Sequence, residues 1–98
     1  MGRAYKYNTE VYCVYPKYEG DHYSPYIVRF GKTGEECDDS VLIESGSFSK
    51  FIHFSDVHYS EEKANESAIE KNTKVLERLE RVKNAIIAQN AELGSKQA

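Results

Sequence analysis

The residues in this chain with chemistry to offer are three histidines, two cysteines and a run of carboxylates. Ser55, Asp56 and His58 are the side-chain types of a nucleophilic triad. They stand so close together in sequence that one cannot orient the next without unusual geometry. His53 and His58, with His22, Cys13 or Cys37, offer nitrogen and sulfur to a metal, but their spacing matches no closed zinc pattern. Asp38 and Asp39 are neighbours, so on a strand they point to opposite faces. Gly31-Lys32-Thr33 has the ending of a phosphate-binding loop. Tyr26 stands where that motif needs its first glycine, and acidic residues follow where it needs a helix. The Asn65-Glu66-Ser67 sequon falls inside a helical stretch and carries no weight. The sequence predicts no enzyme, no metal site and no cofactor. A minor enzymatic or metal site around His53 and His58 is the last of the alternatives.

Two stretches have the composition of contact surfaces. Residues 16–25 form a loop in which Tyr18, His22 and Tyr23 stand among charged and turn-forming residues. Tyrosine gives a large contact area at low entropic cost, which is why recognition loops favour it. The competing expectation is that these tyrosines fold back over a sheet edge. The second stretch is acidic: Glu35, Glu36, Asp38 and Asp39 flank Cys37. It suits a basic partner, or is simply the solvated arm of a hairpin. A calcium loop would need alternating oxygen ligands and a distal glutamate that this stretch lacks.

One long amphipathic helix must position everything else. Ser60 is placed to cap it, Glu61 and Glu62 complement the dipole at its start, and Tyr59 is placed to staple over Ala64. No proline or glycine interrupts the chain from there to Leu93, and Glu70–Lys74 and Glu77–Arg81 are favourable pairs one turn apart. Gly94 is the expected stop, leaving 95–98 as a disordered tail. The predicted single domain is therefore 1–94, with a sheet over 4–54 and the helix over 60–93.

The apolar positions of this helix alternate in steps of three and four. Ala68, Val75 and Val82 make one row, Leu79, Ile86 and Leu93 the other, with Asn72 and Gln89 as interruptions. Ile69 and Leu76 widen the stripe in the first half only. A helix over 61–93 spans about 50 Å, whereas a strand of five or six residues covers about 17–20 Å. A sheet built from the preceding residues cannot cover it. Val75, Leu79, Val82, Ile86 and Leu93 are the predicted dimer interface. A parallel zipper would bring Arg78 near Lys83 of the partner, so an antiparallel or bundled pairing is favoured, with Asn72 fixing the register or simply solvated.

Before the helix, alternation over 4–15 predicts a first strand ended by Pro16. Tyr26–Phe30 predicts a second, Gly31-Lys32-Thr33-Gly34 a turn, Val41–Glu44 a third strand and Phe48–Phe54 a fourth. Tyr5, Tyr7, Tyr15, Tyr26, Phe30 and Phe54 are expected beneath the helix. Tyr12, Tyr18, Tyr23 and Ile27 would then form an exposed aromatic surface. The fold class is α+β: a small antiparallel sheet of about four strands and one long C-terminal helix that dimerises.

Ninety-eight residues with 40% hydrophobic and 30% charged content fit one soluble globular domain. The net charge is −3, with eight acidic and one basic residue in 34–62 and a small basic excess on either side. Duplex DNA, which calls for clustered Lys and Arg, is not expected as a partner. The start of the chain has no signal-peptide or myristoylation pattern, and no apolar run is long enough to span a membrane. Two cysteines without a secretory signal are read as reduced, so a cytoplasmic location is expected.

These features favour a small, non-enzymatic protein-binding module that acts as a homodimer, a regulator or inhibitor of a larger partner. Compact phage inhibitors of host machinery share this economy by analogy. The alternative is a binder of small ligands or single-stranded nucleic acid on a Tyr-rich sheet face.

Overall fold

The computed structural model describes the backbone of residues 4–97 and the side chains of residues 4–91. β1 (Glu10–Pro16), β2 (Tyr26–Cys37), β3 (Ser40–Ser45) and β4 (Phe48–His53) form an antiparallel meander. A 3₁₀ turn at Phe54–Asp56 leads to the two-residue β5 (Val57–His58), and α1 spans Glu61–Gln97. The sheet order is β4-β3-β2-β1-β5. This is an α+β fold with five strands; the extra one is the short β5.

The sheet is rolled. β4 and β5 lie at opposite edges, yet only three residues connect them. The edges of a flat five-stranded sheet would stand about 19 Å apart, farther than that connection reaches at about 3.5 Å per residue. Curling solves the problem. Ile52 of β4 and Val57 of β5 join Val11, Cys13, Tyr15, Val41 and Ile43 in one buried cluster on the concave side. Tyr5, Ile27, Phe48 and Phe54 pack around it. The Tyr5 hydroxyl bonds to the Phe54 and Val57 carbonyls and so seals the joint between the edges.

Alternate residues of β1 face the other way. On the convex side Val14, with Tyr12, Tyr26 and Val28, packs against Ala64 and Ala68 of α1. The small alanines let the helix sit close to the sheet. The residues under the helix therefore differ from those expected: Tyr5, Tyr15 and Phe54 belong to the concave core, whereas Tyr7 and Phe30 are exposed.

Other boundaries move for physical reasons. β1 begins at Glu10, because the chain turns at Asn8 (φ 57°), and Thr33 holds that turn through the Asn8 and Thr9 amides. β2 runs straight through Gly31-Lys32-Thr33-Gly34, where a turn was expected. Gly31 is needed there for close packing, not for bending: a Cβ on it would lie 2.7 Å from Ile43 Cγ2 and 2.9 Å from the Glu44 carbonyl oxygen. The ladder shifts register between Thr33 and Glu36, and the real turn is Asp38-Asp39, with Asp38 at φ 54°.

Ser60 caps α1, its Oγ accepting the Lys63 N–H at 3.1 Å. The Tyr59 ring, expected to staple over Ala64, packs tilted against Tyr5 with centroids 5.4 Å apart. Gly94 does not stop the helix, which continues to Gln97 where a tail was expected. One glycine costs a helix only about 1 kcal/mol, which a long run of strong formers absorbs.

Candidate functional site

The loop between β1 and β2 is tied down at several points. Lys17 N–H donates to the Pro25 carbonyl at 2.8 Å. The buried Ser24 hydroxyl accepts from the Tyr18 amide at 2.8 Å and donates to the Pro25 carbonyl at 3.1 Å. Asp21 accepts the Tyr23 amide at 2.9 Å, a local turn of the kind aspartate favours. Glu19 pairs with Lys50 of β4, and that hydrogen bond holds the Glu19 carboxyl below its ordinary pKa.

From the helix side, Arg78 Nη2 donates to the His22 carbonyl at 3.1 Å. Loop and helix thus enclose an open cleft of about 510 Å³ lined by Pro16, Asp21, His22, Tyr23, Tyr26 and Arg78. The Arg78 Nε is buried against one wall without a hydrogen-bond partner. Two of the expected contact residues, His22 and Tyr23, are brought to this cleft. Tyr18 is exposed beside it, 5.5 Å from the Lys17 ammonium. Arg78, which lines the cleft, and Asn72, which hydrogen-bonds the backbone of the lining residue Tyr26, are the residues that sequence reasoning did not assign here. A polar break in the apolar row at Asn72 was the visible signal.

The acidic residues lie elsewhere. They occupy the far end of β2 and its turn, so the expected contact set divides into two surfaces. Glu36 accepts the Ala4 and Tyr5 amides at 3.0 and 2.7 Å, which makes it a clasp for the N-terminal segment. Asp39 lies 3.2 Å from His53 Nε2, and its carbonyl accepts the Phe54 amide at 2.9 Å. Glu35 and Asp38 are exposed. The acidic block is thus part structural clasp and part solvent-facing surface.

The triad types do not converge. Asp56 pairs with Lys71 of α1 at 3.1 Å, and His53 Nδ1 contacts Ser55 Oγ at 2.8 Å. His58 sits in β5 opposite Tyr12, its Nε2 buried without a partner. Among the described residues no three His, Cys, Asp or Glu side chains gather around a common point. Cys13 is buried in the concave core, which raises its thiol pKa to about 11; Cys37 is exposed.

No protein family, curated protein or solved structure matches this chain. The site must therefore be understood from its own geometry.

The remaining surface is the distal helix. Val75, expected at the dimer interface, is only 5% exposed and packs within its own chain. Among the described side chains of α1 it is the last to be buried. From Leu79 through Ala91 every residue is exposed, including Leu79, Val82, Ile86 and Ile87. The side chain of Leu93 lies outside the described residues. Among the described residues no helix is long and apolar enough to cross a membrane.

Proposed function

We propose that this chain is a small, non-enzymatic protein-binding module that acts as a homodimer, a regulator or inhibitor of a larger partner. One observation carries the proposal. The helix face that buries Ala64, Ala68 and Val75 continues beyond the sheet as Leu79, Val82 and Ile86, uncovered. Apolar surface of this extent usually marks an association site. Self-association through it leaves the Tyr18–Tyr23 loop and the Glu35–Asp38 surface for the partner. Both thiols are free and suit a reducing compartment, so we place the module in the cytoplasm.

The test is solution mass. The full chain should scatter as twice 11.2 kDa, and Leu79→Lys with Ile86→Lys should return it to 11.2 kDa with its fold intact. A monomeric wild-type chain would remove the homodimer and turn the stripe into the partner's own docking site.

The cleft supports a second reading. Tyr12 and Tyr26 of the sheet are half-buried beside α1, and Tyr26 also lines the cleft. The cleft brings Tyr23, Tyr26 and Arg78 into one lining and suits a ligand with an aromatic ring and an anionic group. Titration with mononucleotides and short oligonucleotides should then quench tyrosine fluorescence, and Arg78→Ala should abolish the quenching. A flat titration removes this reading.

A further inference from the structure

We propose that two copies of this chain pair through antiparallel distal helices, with their rolled sheets at opposite ends of the assembly. This rests on the self-association proposed above and adds its geometry.

The first reason is steric. The uncovered stripe is not on a new side of α1; it lies on the same side as Ala68 and Val75, which face the chain's own sheet. Two helices joined in parallel along that side would bring both sheets into the same seam. Packed helices lie about 8–10 Å apart, and one sheet against a helix already fills that space. Parallel helices would have to splay as they reached the sheets, pulling Leu79 apart from its mate. Antiparallel helices that overlap only beyond Arg78 meet no such obstacle.

The second reason is charge. Residues 84–91, Asn-Ala-Ile-Ile-Ala-Gln-Asn-Ala, carry no charge over more than two turns of exposed helix. A two-fold axis between positions 87 and 88 sets this neutral segment against itself, so no ion is desolvated at the centre of the contact. In that register Ile86 packs in a layer with Gln89 of the partner subunit, and Lys83 flanks Asn90 of the partner subunit. Parallel pairing instead puts Arg78 beside Lys83 of the partner subunit, a like-charge contact on each side.

The experiment uses nitroxide labels on the full chain, with Cys37→Ser removing the exposed thiol and Cys13 left in the core. Glu66→Cys carries the label in one sample and Asn84→Cys in another. Both positions are exposed, so neither label disturbs packing. Antiparallel pairing about that axis predicts a Glu66 label pair about 65 Å apart, at 1.5 Å rise per residue, and an Asn84 pair under about 30 Å. A Glu66 pair under about 40 Å, with the dimer mass retained, overturns the orientation but not self-association. Monomer mass and no inter-label coupling overturn both.

Discussion

Asn72 of α1 grips Tyr26 of β2 by both backbone groups. The Tyr26 N–H donates to Asn72 Oδ1 at 2.6 Å, and Asn72 Nδ2 donates to the Tyr26 carbonyl at 3.1 Å. Tyr26 needs this partner. Lys17 N–H bonds to the Pro25 carbonyl one residue earlier, so by the alternation of an antiparallel ladder Tyr26 turns its own groups away from β1. β3 does not reach it, since pairing there starts at Lys32 opposite Glu44. Neither expectation for Asn72, a register-setter between helices or a solvated side chain, describes this role.

Asn72→Leu should therefore lower unfolding stability by about 2–3 kcal/mol, since two half-buried backbone groups lose their partner. Asn72→Asp should cost less, because it keeps the acceptor for the Tyr26 amide. Urea denaturation monitored by circular dichroism checks both. Equal stability of all three proteins would mean that water replaces the clamp.

The two halves of the stripe should respond differently to the same kind of truncation. Val75→Ala removes buried methyl groups and should cost about 2 kcal/mol of folding stability at any protein concentration. Ile86→Ala should change monomer stability by less than about 0.5 kcal/mol, as exposed positions do. It should instead raise the dimer dissociation constant, measured by sedentation-equilibrium or light-scattering dilution series.

Gly31 and Gly34 provide a local comparison. An alanine at Gly31 would meet Ile43 Cγ2 and the Glu44 carbonyl under 3.0 Å, so Gly31→Ala should cost about 1–3 kcal/mol through displaced backbone. At Gly34 the nearest contacts are 3.4 Å, to Leu42 side-chain atoms that can adjust. Gly34→Ala should be the milder of the two in thermal melts.

Cys13 predicts a pH dependence with a definite sign. Burial raises its thiol pKa from 9.0 in the open chain to about 11 in the fold. The folded state therefore holds the proton more tightly. Its stabilising effect is complete below pH 9 and is lost as pH climbs towards 11, on the order of 2 kcal/mol in all. Burial also raises the Tyr5 pKa, which acts in the same direction. Cys13→Ala should flatten part of this alkaline loss in denaturation curves taken across that range. At pH 8 a thiol reagent should label Cys37 in the native protein and Cys13 only after unfolding.

The acidic residues should separate into two classes. Glu36→Ala removes the acceptor for the Ala4 and Tyr5 amides and should speed their hydrogen exchange. Glu35→Lys should leave melting unchanged, and so should Asp38→Asn, which keeps a side chain that tolerates the left-handed turn; both should weaken a basic partner, most visibly at low salt.

The helix was legible in the sequence because its signals are local: a capping serine, uninterrupted helix formers and apolar residues in steps of three and four. Its excess length over any sheet the remaining residues could make was equally readable, since rise per residue is a fixed quantity. β3 and β4 were also readable, bounded by turn chemistry at Gly46. What the sequence could not decide is which contacts each side chain finds. Glycine at 31 permits a turn or a close strand contact, and only the approach of Ile43 selects the second. The tyrosines alternate on both faces of β1, so the roll of the sheet, forced by the short link from β4 to β5, decided which became core. Arg78 and Asn72 belong to the loop and to β2 only because the helix docks where Ala64 and Ala68 allow it. Periodicity is written in neighbouring residues; partnership across 46 or 56 positions of chain, as for Tyr26 with Asn72 and His22 with Arg78, exists only after folding.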